Sequence, residues 1–237
     1  MKHSICKVIA ESATAIPKSI TVQQVNEVEV YIPHIVEVAE NLREYLSEDD
    51  LITPFSRLGW FYQGQALYSQ AQLWFEKGKE MAEQRFGKEH CDVATTLNNL
   101  ATLYDDKGRY DDAEPLHLQA LEMRKKLLGD EHPDVATSLV CLATLYDTQG
   151  EYNKAETFFL QGLEMFKKLL GDEHPYVATS LHNLAIFYKD QGKYDKAEPL
   201  YLQALEMRKK LLGDEHPHTQ RTQKSYQALL EKKKRLR

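Results

Sequence analysis

The side chains in this sequence best equipped for chemistry are an acid and a histidine side by side, and the pair recurs. The run "LLGDEHP" ends at Pro133, Pro175 and Pro217, and a blurred copy, "RFGKEHC", ends at Cys91. Glu131–His132, Glu173–His174, Glu215–His216 and Glu89–His90 therefore hold equivalent places. A carboxylate beside an imidazole can move protons, or the two can supply donors to zinc. Zinc needs about four donors, each within about 2.3 Å, and one motif offers only one or two. Whether the motifs converge depends on the elements between them.

Those elements repeat. Four blocks, 50–91, 92–133, 134–175 and 176–217, align without a gap at a period of 42. The second and fourth blocks differ at 10 positions and agree at 32, so one structural unit is being reused. In the second block Val93, Leu97, Leu100, Ala101 and Tyr104 fall on one face of a helix, and Gly108 breaks the pattern. Tyr110, Ala113, Leu116, Ala120, Met123 and Leu127 then mark a second helix. Pro115 and Pro199 fall within about a turn of that helix's start, where a missing N–H costs little. Each block is a helix hairpin that cannot bury its apolar stripe alone, so blocks must stack.

The acid–histidine motif falls between hairpins. Gly129, Gly171 and Gly213 follow the cationic helix ends "RKKLL", "FKKLL" and "RKKLL", as expected of residues just past a helix C-terminus. Pro133, Pro175 and Pro217 suit the first position of the next helix, with Asp134 in its first turn. Successive linkers lie one or two helix spacings apart, each about 8–10 Å, too far to share a zinc ion. The motif reads as a structural joint, with no metal site and no catalytic residue.

The residues of the hairpin resemble the tetratricopeptide repeat family. The signature appears as Leu97, Leu100, Ala101, Tyr104, Gly108, Tyr110, Ala113 and Ala120, and returns 42 residues later with Gly162 for Ala120 and 84 residues later unchanged. In the first block it reads Phe55, Leu58, Gly59, Tyr62, Ala66, Tyr68, Ala71 and Gly78, with Ala66 in place of the turn glycine. The period of 42 and the phrases "LNNLA", "AEPL", "LEMRKKLLG" and "HPDVATSL" are similar to kinesin-light-chain repeats of the bacterial type. The resemblance implies an all-α, right-handed superhelical solenoid of helix hairpins, acting as a protein–protein interaction scaffold. Two other roles attach to such repeats: regulatory partner of a nucleotide-binding signalling ATPase, and motor cargo adaptor. Residues 1–49 contain Pro17 and Pro33 and no sustained heptads, which counts against the adaptor, and no G-x-x-x-x-G-K-[ST] occurs.

In such arrays the first helix of each hairpin lines a concave groove that takes an extended peptide or a partner protein. Positions off the hairpin-packing stripe are expected to face it: Ser56 and Arg57 with Trp60 and Gln63, then Asn98, Asn99, Thr102 and Asp105, then Val140, Cys141, Thr144 and Asp147, then His182, Asn183, Ile186 and Lys189. Asn99 and Asn183 are the expected hydrogen-bonding grips.

The ends read as caps. "SICKVIAESA", "TVQQVNEVEV" and "PHIVEVAENLREYL" are degenerate helices covering the first hairpin, and 218–237 is a capping helix over Leu202, Leu205 and Leu211. Its basic end, "KKKRLR", reads as a solvated helix terminus rather than an RNA or lipid contact. A net charge of −6 argues against nucleic-acid or anionic-membrane affinity, and no apolar run reaches membrane length. Cys6, Cys91 and Cys141 read as free thiols of a cytoplasmic protein, and Cys141 merely replaces the Asn99 and Asn183 of its sister repeats. Nothing requires a cofactor or an enzyme.

Overall fold

Residues 2–14, 16 and 27–235 are described by a computed structural model, and among them the regular structure is helical throughout. Helices α1 (Lys2–Ala13) and α2 (Ile32–Asn41) precede four hairpins. These pair α3 (Thr53–Gly64) with α4 (Tyr68–Phe86), and α5 (Cys91–Asp106) with α6 (Tyr110–Leu128). They continue with α7 (Pro133–Thr148) and α8 (Tyr152–Leu170), then α9 (Pro175–Asp190) and α10 (Tyr194–Leu212), and α11 (Pro217–Arg235) follows. The expected all-α hairpin repeat is thus the observed one. The helix expected over 21–30 lies largely outside the described residues, as do the last two residues of the basic end; Glu29–Tyr31 forms a short 3-10 turn.

The chain divides into two compact units, Met1–Leu127 and Leu128–Arg237. In the first, Ala13, Ile16, Ile32 and Ile35 from the N-terminal segment pack on Phe55, Leu58 and Trp74 of the first hairpin. Trp74 is therefore packed against the N-terminal segment. Trp60 joins a different cluster, with Phe75, Leu100 and Leu103. In the second unit Phe159, Phe166, Leu184, Phe187 and Tyr201 are buried, with the Phe159 and Phe187 rings 5.4 Å apart across successive hairpins.

Two local expectations need correction. Pro115 is the sixth residue of α6, not a first-turn residue, so the carbonyl of Asp111 lacks its i+4 donor. Both residues are exposed, so water can take the bond and the helix runs on. Leu202 and Leu211 are 41% and 38% exposed with α11 in place, so that helix is not their cover. It meets α10 through Arg208 and through Lys233, whose Nζ lies 2.6 Å from both Asp195 and Glu198. Those two acids, with Lys232 over the Tyr194 ring, absorb part of the basic end.

The turn inside each hairpin is the same in all four repeats. Leu67 N–H donates to Tyr62 at 2.9 Å, and Arg109, Glu151 and Lys193 donate to Tyr104, Tyr146 and Tyr188 at 2.8 Å. Closing this turn needs a positive φ one residue earlier, which Gly108, Gly150 and Gly192 supply. Ala66 adopts it too, at φ 58°, so the substitution is accommodated by strain rather than by a different turn. An L-residue there costs roughly 1–2 kcal/mol, partly offset by the smaller entropy of its unfolded chain. Ala66→Gly is expected to stabilise the protein by about 0.5–1 kcal/mol, read as a raised denaturant midpoint at constant slope. An unchanged or lowered midpoint would show that the turn carries no strain.

Candidate functional site

The linker histidines act first on the backbone. His90, His132 and His174 are N-caps in extended conformation, and Nδ1 of each, like that of His216, accepts the N–H two residues on, at 3.1–3.2 Å. Pro133, Pro175 and Pro217 open the next helix, so one of its orphan donors is absent and the next is satisfied. Upstream, Gly87, Gly171 and Gly213 leave the preceding helix at φ 83–86° and ψ 163–173°, a region that only glycine enters freely. The glutamate points elsewhere. Glu89 pairs with Lys126 at 2.5 Å, and Glu131 and Glu173 pair with Lys168 and Lys210, each lysine 37 residues on. These exposed pairs contribute at most about 1 kcal/mol each, and mainly fix the end of a hairpin's second helix against the linker that precedes that hairpin. Among the described residues no three His, Cys, Asp or Glu side chains come together as a metal site. Their free thiols are Cys6, Cys91 and Cys141.

The first-helix residues divide into two groups. One repeat position, held by Asn98, Val140 and His182, points into the hairpin. Asn98 is 5% exposed, its Oδ1 2.8 Å from Nδ1 of His117 on α6. A Cβ added to Gly162 of α8 would come within 2.7 Å of Val140. His182 is 3% exposed with its ring edge-on to Tyr201 at 5.5 Å. Asn99 is also buried, donating to Ser56 at 3.3 Å. Arg57 is committed as well: its guanidinium donates to the carbonyl of Ile16 and lies over the Trp60 ring. Expecting all of these on an open floor overlooked that a first helix packs on three sides.

The second group stays accessible. In the first unit Thr102 and Asp105 are half-buried, and Gln63 donates to the neighbouring Asp106 at 2.6 Å. In the second unit Thr144 is exposed, while Cys141, Asp147, Asn183, Ile186 and Lys189 are half-buried. Burial and then the nearby Asp190 raise the carboxyl of Asp147 above its ordinary range. Lys189 pairs with Asp190 at 3.0 Å. The face is polar, mixed in charge and interrupted by one isoleucine.

The buried polar side chains at the hairpin and cap interfaces were not visible as such in the sequence. Arg124 and Arg208 are 5% and 4% exposed where their sister residue is Phe166. Arg124 donates to Thr95 at 3.0 Å. Arg208 donates to Thr179 at 3.2 Å, to the His218 carbonyl at 3.1 Å and to Thr222, with no described carboxylate within ion-pair distance. Burial, then Arg221, pushes it down to about 10. Burial first, then Arg208, Arg221, His218 and Lys189, pushes His182 down to about 3, so its ring is neutral. The only sequence signal was the replacement of both arginines by phenylalanine in the intervening repeat.

The tetratricopeptide repeat model matches residues 92–168, 141–210 and 176–232, together more than half of the chain. Among solved structures the chain is similar to BtubC (BKLC) from P. vanneervenii, at 24% identity and a TM-score of 0.68, covering 90% of this chain and 84% of that one. It is also similar to a kinesin-light-chain-like protein of P. anserina with nearly identical repeats. That match has 22% identity and a TM-score of 0.59, over 90% of this chain and 98% of the other. These likenesses establish a shared fold. No curated protein matches the chain.

The paired position inside the hairpins gives a direct test of packing against polarity. The carbonyl of Asn98 can only accept, so the His117 ring carries its proton on Nδ1. Asn98→Val leaves that buried donor without this acceptor and is expected to cost about 1–3 kcal/mol. Adding His117→Phe, which recreates the Val140–Phe159 pair, should recover most of the loss in a double-mutant cycle. Strict additivity of the two changes would mean that the pair is uncoupled.

Proposed function

Because this chain belongs to the tetratricopeptide repeat family, we propose that it is a non-catalytic scaffold that holds an extended peptide segment of a partner protein along its first helices. The observation that carries this reading is the accessible part of α7 and α9. Thr144 is exposed and Asp147, Asn183, Ile186 and Lys189 are half-buried, beside the packed Leu142, Ala143, Leu184 and Ala185 of the same helices. Two of these positions change between near-identical repeats, Thr102 to Ile186 and Asp105 to Lys189. A surface fitted to one ligand accommodates that variety.

The grip reads differently once burial is known. Asn183 can offer its amide to a peptide backbone, whereas Asn99 is bound to Ser56 and is a support. Ile186 supplies a shallow apolar contact between Asn183 and Lys189 along the helix. Lys189 and Asp147 give the face opposite charges and so favour a ligand that is itself mixed in charge, rather than a uniformly acidic one.

Peptides selected from a displayed random library on the full chain provide the test. Asn183→Ala with Ile186→Ala is expected to weaken the selected peptides by about ten-fold or more, which corresponds to about 1.4 kcal/mol. Gln161→Ala with Gln203→Ala, on the outer face of α8 and α10, should leave binding unchanged. Loss of binding in the outer-face variant alone would place the ligand on the other surface.

A further inference from the structure

We infer that α11 is an acid-releasable cap: protonation of the histidines at its N-terminus undocks it while the hairpins before it remain folded. The inference is independent of the peptide-binding reading and concerns the end of the second unit alone.

The geometry starts with His216. Its Nδ1 accepts the His218 N–H at 3.2 Å, and an accepting ring nitrogen must be unprotonated. A proton there converts acceptor to donor, removes the cap and sets a cation at the positive end of the helix dipole. The same bond at His90 and His132 is insured against this. Asp92 and Asp134 hold a carboxylate oxygen 3.8 and 3.7 Å from the capping nitrogen, ready to pair with an imidazolium. At α9 that position is the neutral Tyr176. At α11 it is a second base, His218, with the two rings 5.3 Å apart.

The surroundings add positive charge, and the acids among them are engaged by other groups. From α10 come the buried Arg208 and Lys209, the latter held by Asp214 at 3.1 Å. From α9 come Thr179, the buried His182, and Lys189 paired with Asp190. Arg221 stands on α11 itself, and Glu215 accepts from Gln220 at 3.2 Å. Asp190 is felt at Tyr201, where it follows burial in raising the hydroxyl. Among the described residues neither ring nitrogen of His182 nor the hydroxyls of Tyr201 and Thr219 find a hydrogen-bond partner. A charge arriving here therefore meets cations and unpaired polar atoms.

Burial, Arg208, His216 and Arg221 in turn hold His218 below the ordinary histidine range, and His182 lies lower still, at about 3. Both are depressed in the folded state, so the unfolded or undocked state takes up protons first. Their stabilising contribution is complete above about pH 6.5 and declines as pH falls below it. The effect concentrates on α11 because that helix packs on α10, whereas α9 is held by both α8 and α10. The Lys233 contact at its far end contains no histidine.

Hydrogen–deuterium exchange of the full chain at pH 7.5 and 5.5, corrected for intrinsic amide rates, tests this. Amides of 217–235 are expected to lose at least ten-fold protection at pH 5.5, with those of 133–148 changing less than two-fold. His216→Asn keeps a capping oxygen that does not titrate, and His218→Asp restores the arrangement of the His132–Asp134 linker. Either variant should hold 217–235 protected at pH 5.5. Equal loss in both segments, no loss in α11, or variants as acid-sensitive as the parent would overturn the inference. Should a variant lose protection already at pH 7.5, the contrast between α11 and α7 in the parent decides alone.

Discussion

A helix begins with backbone N–H groups that no preceding turn can accept, and a stacked array of hairpins must solve that problem at every repeat. Here one short linker solves it for each helix pair. Glycine ends the preceding helix, histidine accepts the second donor of the next through Nδ1, and in three of the four linkers proline removes the first. The glutamate between them reaches a lysine of the next hairpin. The same joint recurs before α5, α7, α9 and α11. An acid–histidine pair that looks like chemistry is consumed by that geometry.

Near-identity of the repeats conceals a varied interior. The position held by Asn98, Val140 and His182 faces His117, Phe159 and Tyr201 in its own hairpin. The first of these pairs is hydrogen-bonded, the second apolar, and the third packs edge-on with the histidine nitrogens unsatisfied. A buried polar group without a partner costs about 1–3 kcal/mol, so the third pair is the weak one. It lies beside Arg208, a buried guanidinium held by neutral acceptors alone. The end of the second unit is thus poorly compensated, while the hydrophobic stripe of each hairpin remains intact.

Helix number, hairpin pairing and the family were legible because a period of 42 with glycine and proline at fixed offsets leaves few alternatives. The linker's structural role was legible from the same punctuation, although the histidine's part as N-cap was not: histidine is uncommon there. Ala66 showed the opposite failure, since a changed residue retained the turn. The binding face was only half legible. Helical periodicity gives the side of one helix but not the reach of its neighbours, so Asn98, Asn99 and His182 looked open and are buried. Arg124 and Arg208 read as parts of cationic helix ends, and their acceptors, Thr95 and Thr179, are 29 residues away.

The tautomers of the histidines test the linker account most directly, because Nδ1 must be bare where it caps and protonated where it faces a carbonyl. Long-range nitrogen–proton correlation spectra at pH 7.5 report this for each ring. The account predicts the Nε2–H form for His90, His132, His174 and His216, and the Nδ1–H form for His117. Linker histidines carrying their proton on Nδ1 could not accept the N–H of the following helix, and that result would contradict it.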